Sequence, residues 1–237
     1  MSIGTFSTIG LWLREETLWE RIIDKSTHLR NVNRQDFYRL AIQMAISAVA
    51  YHEVAHIVRG HNGYIYAGKL ISDEIEIARR KICEVDADKW CSFLLGGDIL
   101  QNAKHLSLAL YNTEKIYPHV AKELFEVLSV GLYRYLAVYN HPESRPSTLY
   151  PHPLIRTMRI AIGASDNLET NQLVPSDALN RLTSVLNGLI IAEEYIEGPY
   201  GFLQRNWDLG EELMNFEKKY EKQLEELHKE LIPFVPK

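Results

Sequence analysis

Residues 52–61 read HEVAHIVRGH: three histidines and one glutamate in ten positions, the rest mostly apolar. The stretch closes a helical pattern that runs from Phe37 to about Arg59, with Gly60 as a natural stop. On such a helix Ala41, Ala45, Ala48, His52 and His56 form one stripe, in which the alanines let a neighbouring element come close. Ile42, Ile46, Val49, Glu53 and Ile57 form the next stripe, and Ala50, Val54 and Val58 fill much of the remainder. A helix apolar nearly all round is expected to be buried. The two histidines and the carboxylate in its last turns then need an opposite charge, a metal ion or a proton.

The pattern HExxH at residues 52–56 meets that need. Histidines at i and i+4 project to one side of a helix and can share one Zn²⁺. Glu53 lies about 100° further round, where it reaches a metal-bound water without ligating the metal. Zinc lowers the pKa of such a water to about 7. Glu53 is then the expected general base, which later hands the proton to a leaving amine. Five residues alone are a weak signal, because the pattern arises by chance in unrelated chains; a third ligand on another element strengthens it.

Arg59 and Asn62 stand where the long metzincin pattern wants Gly and His, which excludes that arrangement. His61 lies past Gly60 and reads as a polar residue at the helix end, with a place on the cleft wall as the alternative. The better third ligand lies in CEVDADKWC, residues 83–91, where Glu84 and Asp88 are i and i+4 on the next helix. A glutamate there completes a His₂Glu set. Asp88, one turn on, is placed to accept the N–H of a ligating imidazole. Glu84 borders the apolar stripe Ile75, Ala78, Ile82 and Val85. The competing reading is a solvated acidic face, since Asp73, Glu74, Glu76 and Asp86 are also present.

HExxH followed by Gly-His, then Glu-x-x-Ala-Asp on the next helix, resembles the gluzincin metallopeptidases. It is similar to the HtpX and CAAX prenyl protease group, whose signature runs HExxHxxxxH and then ExxAD. The resemblance implies a zincin-like domain that binds Zn²⁺ through His52, His56 and Glu84, with Glu53 as base and Asp88 behind the ligands. That group also carries a downstream His-Pro and Arg-Ile, echoed here by His152-Pro153 and Arg159-Ile160 at a spacing one residue longer. The group is membrane-embedded, whereas this chain has no apolar run approaching the roughly 18 residues of a span. It therefore looks more like a soluble relative, of which the cytosolic phage-exclusion Lit peptidases of bacteria are one type. The match covers about residues 48–91, with the weaker echo at 152–160.

A peptidase also needs a group for the oxyanion. The proline-rich stretch offers His141, Arg145, Tyr150 and His152, with Arg156 and Arg159 just after it; His152 and Arg159 are the expected pair. The Tyr64–Tyr66 alternation reads as a short strand that could take a peptide along its edge.

The remaining sequence reads as helices at about 11–30, 73–95 (ending at Gly96-Gly97), 99–111, 113–139, 153–163, 176–196 and 209–231. Residues 141–153 read as a rigid loop and residues 164–177 as a polar one. NVNRQD at 31–36 supplies Asn and Asp as helix caps. The expected architecture is a single mainly α, zincin-like domain over residues 1–237, with at most a small β element. The last helix carries Leu213, Phe216, Tyr220, Leu224, Leu227 and Leu231 at heptad-like spacing. That seam serves either to pack the helix on its own domain or to bind a second copy or a partner.

The net charge of −5, with no basic block, makes nucleic acid a poor guess for a partner. Cys83 and Cys91 lie about 12 Å apart along one helix, too far for a disulfide and suited to a reducing compartment. No secretory leader is evident, so a cytoplasmic location is expected. The leading functional reading is a zinc endopeptidase acting on proteins or peptides. A catalytically silent zinc-binding regulator and a metal-free helical interaction module compete with it.

Overall fold

The computed structural model describes residues 16–139, 153–174, 181–197 and 209–236 of the 237-residue chain. These residues form helices α1 (Glu16–Lys25), α2 (Arg34–Val58), α3 (His61–Lys69), α4 (Asp73–Tyr111), α5 (Tyr117–Tyr139), α6 (Pro153–Thr170), α7 (Arg181–Glu197) and α8 (Leu209–Leu231). Short 3₁₀ turns follow α1 and α8. The described residues contain no strand, and the class is mainly α.

Helix α2 starts where Asn33 caps it: its side chain accepts from Gln35 N at 2.9 Å and so satisfies one of the unpaired donors of the first turn. Helix α4 starts at Ser72, whose hydroxyl accepts from Ile75 N, with Asp73, Glu74 and Glu76 favourably placed against the helix dipole. The Gly96-Gly97 pair does not end a helix: α4 runs unbroken for 39 residues. Gly96 instead serves close packing, because a β-carbon there would lie 2.7 Å from the Ala164 carbonyl oxygen on α6.

The main core gathers Trp19 and Ile22 of α1, Phe37 and Met44 of α2, Leu95 and Ile99 of α4, Phe125 and Leu128 of α5, and apolar residues of α6 and α7. A smaller cluster joins Tyr64 and Ile65 of α3, Ile82, Cys83 and Val85 of α4, and Leu224, Leu227 and Leu231 of α8. The C-terminal half of the last helix's apolar seam, Leu224, Leu227 and Leu231 with Tyr220 against them, is thus packed within its own chain, while the side chains of Leu213 and Phe216 lie outside the described residues. Both cysteines are free and buried, as their spacing on one helix implies.

Residues 164–170, read from sequence as loop, continue α6 to Thr170, and two further expectations give way. Residues 64–66 are helical, not extended. Gly60 adopts φ +75° and lets the chain turn straight from α2 into α3, whose Tyr64, Ile65 and Gly68 face α4 at helical spacing. Three residues of alternation do not distinguish the two periods. Nor is α2 buried throughout: Val54, Ile57 and Val58 are 44 %, 61 % and 45 % exposed. The helix leaves the main core in its last turns, and one flank there borders an open cleft. Among the described residues, no helix is long and apolar enough to cross a membrane.

Candidate metal centre

Helices α2 and α4 run antiparallel where they touch, and the contacts step along both. Cys91 Sγ meets the Ala48 carbonyl at 3.1 Å. One turn along α2, His52 meets Asp88 and Glu84, and one turn further His56 meets Glu84. Ala48, small and buried, lies at this contact, whereas Ala41 and Ala45 come close to Gly131 of α5. Four residues read from sequence as one constellation are thereby brought together by two helices.

His52 Nε2 lies 3.0 Å from Glu84 Oε2 and 3.1 Å from His56 Nε2, and His56 Nε2 lies 3.5 Å from Glu84 Oε1. Around a four-coordinate zinc with bonds of about 2.0–2.1 Å, neighbouring ligand atoms sit about 3.3 Å apart. The three side chains therefore fit a single metal ion, and His52, His56 and Glu84 can hold one.

Each histidine is held from behind. His52 Nδ1 lies 2.9 Å from Asp88 Oδ1. Arg156 of α6 grips the same carboxylate through Nε and an Nη at 2.8 Å each. His56 Nδ1 lies 3.0 Å from His61 Nδ1, and His61 Nε2 lies 3.0 Å from Asp86 Oδ2. Asp86 also accepts from Arg59 Nε at 3.1 Å and pairs with His228 Nε2 of α8 at 2.7 Å.

The electrostatics follow from this packing. Burial opposes charge on His52, but its bonds to Asp88 and Glu84 outweigh that and raise its pKa to about 9. Burial works against the Glu84 carboxylate too, yet His52 and His56 bring it down to about 2. The same balance holds Asp86 below the usual carboxylate range through His61, His228 and Arg59, and Asp88 through Arg156 and His52. His61, fully enclosed, is pushed down by its burial despite the bond to Asp86.

The triad forms one wall of a cleft of about 630 Å³. Glu53 lines it from the open side of α2 and makes no hydrogen bond or ion pair with a described residue. Leu132, Tyr135 and Leu136 of α5 and Ile160 of α6 give the cleft a largely apolar wall. Arg156 borders this cleft, its guanidinium 3.7 Å from Glu84 Oε2. Arg159, one helical step on, instead lines a second cavity of about 690 Å³ between α4, α6 and α8. His152 lies outside the described residues, as do His141, Arg145 and Tyr150.

Sequence reasoning missed the part played by His61 and Asp86. His61 is enclosed and bonded to His56 rather than capping a helix at the surface. Asp86 looked like one more acid on a charged helix, and it is fully buried. The third histidine of HExxHxxxxH was the available signal for His61; the burial of Asp86 depends on α3 and α8 arriving over it. Comparison with protein-family models, curated proteins and solved structures finds no match to this chain.

Proposed function

We propose that this chain is a zinc-dependent endopeptidase of the gluzincin type, acting on protein or peptide substrates. The observation that carries the reading is the convergence of His52 Nε2, His56 Nε2 and the Glu84 carboxylate on one point in the wall of a cleft, with Glu53 beside it. Zinc suits two imidazoles and one carboxylate at these separations, and when bound it supplies Lewis acidity toward a carbonyl oxygen and toward water. Asp88 keeps His52 in the tautomer that presents Nε2 to the ion.

Glu53 is the general base. It stands on the same turn as His52, reaches the cleft, and is not tied to a described cation. It removes a proton from the attacking water and returns it to the departing amine. Arg156 is the cation placed to oppose negative charge gathering on the scissile carbonyl oxygen, held in position by its two bonds to Asp88. The apolar wall of Leu132, Leu136 and Ile160 is suited to a large apolar side chain of the substrate.

The test is Glu53→Gln, assayed on an unstructured protein substrate with zinc measured in parallel. This variant retains zinc at the wild-type level and loses cleavage by at least 10²-fold, the lower range for removal of a general base. Full activity in Glu53→Gln would rule out the mechanism. Zinc bound with no cleavage by wild type on any substrate would favour the silent regulator.

A further inference from the structure

We propose that His61 is a positioning residue for the metal ligand His56, and that Asp86 and His228 carry this relay into the C-terminal helix. The inference rests on the metal reading above. Its starting point is the asymmetry between the two histidine ligands. His52 is oriented directly by a carboxylate, Asp88, at 2.9 Å. His56 has no carboxylate on Nδ1; it has the imidazole of His61, and the carboxylate stands behind that ring.

The proton arrangement runs one way. A neutral His56 that offers Nε2 to a metal carries its proton on Nδ1 and donates it to His61 Nδ1. His61 then bears its own proton on Nε2 and donates to Asp86 Oδ2. Arg59 Nε donates to the same oxygen, and His228 Nε2 to Oδ1. A fully buried carboxylate is costly unless it is paired, and Asp86 takes partners from three places: the end of α2, the start of α3 and α8.

The end of α8 also fixes α3, which carries His61. Glu230 accepts from the Tyr64 hydroxyl. The Phe234 ring lies 5.8 Å from that of Tyr64 and against Gly63. The Phe234 carbonyl presses on Gly60, leaving no room for a β-carbon there. Residues 228–234 thus hold the turn between the metal helix and His61, so the far end of the chain belongs to the metal centre.

The experiment measures zinc affinity of the full chain by competition with a chromogenic chelator, together with the visible absorption of the cobalt-loaded protein. His61→Ala is expected to weaken zinc binding about 10–100-fold, the range for loss of a group behind a ligand, and to shift the cobalt bands. His61→Asn places an amide near the former Nδ1 and is expected to recover most of the affinity. His61→Gln places its amide toward Asp86 and is not. His228→Ala, at a side chain 42 % exposed, is expected to keep the fold and weaken binding several-fold. Wild-type affinity and cobalt bands in both His61→Ala and His228→Ala, with binding lost in His52→Ala, would overturn the relay alone. Should His61→Ala fail to fold, unchanged binding in His228→Ala overturns it. No zinc affinity in the wild type would overturn the metal reading and the relay with it.

Discussion

At the residue scale the decisive feature is how His52 is charged. In the metal-free protein its imidazolium bridges Asp88 and Glu84 and titrates at about 9 in place of 6.5. A raised folded-state pKa contributes stability that is complete below 6.5 and is lost as the pH rises through about 9. Glu84 has the opposite sense: its contribution is present above 4.5 and fades as the pH falls toward about 2. Thermal melts of the metal-free protein are therefore expected to drop between pH 6.5 and 9. The zinc-loaded protein should lack that decline, because ligation already holds the imidazole neutral. A second residue-scale expectation concerns Arg156. Its removal leaves Asp88 buried with half its charge partners gone, so Arg156→Ala should cost about 3 kcal/mol in urea unfolding as well as activity. The grouping of His52, His56, Glu84 and Asp88 was legible in the sequence because i, i+4 spacing on two helices is local information. Arg156 and His61 were not, since which of two neighbouring arginines faces the cleft, and whether a histidine is enclosed, depends on packing.

At the scale of elements, α4 is the axis that both cores and the candidate site share. Its start at Ser72 and the start of α2 at Asn33 follow from side chains that satisfy first-turn donors. Caps of this kind are readable because they act within three residues. Its passage through Gly96-Gly97 was not readable, because glycine weakens a helix locally while allowing a close neighbour, and the neighbour is 68 residues away in sequence. Gly96→Ala should gain about 1 kcal/mol of helix propensity and lose about 1–3 kcal/mol to the clash with Ala164 O. The expected net result is a lower unfolding midpoint in guanidinium. A higher one would mean that α6 yields easily.

At the scale of the whole molecule, the candidate site lies where the main core meets the smaller cluster of α3, α4 and α8. Apolar periodicity revealed the mainly α class and the span of the last helix, 209–231. It did not say what that helix covers, since one apolar stripe serves an intrachain or an intermolecular neighbour equally well. Leu227 is 2 % exposed within the smaller cluster. Leu227→Ala should cost about 2–4 kcal/mol, as for other buried leucines, and should loosen α3 before the main core; hydrogen exchange at residues 61–69 would register it. The account as a whole stands on one metal ion held by His52, His56 and Glu84. Elemental analysis of the purified chain, beside His52→Ala and Glu84→Ala, tests this most directly. The expected result is about one zinc per chain in the wild type, the ratio of a single closed site, and little in either variant. A wild type without metal, or variants that retain as much as the wild type, would contradict it.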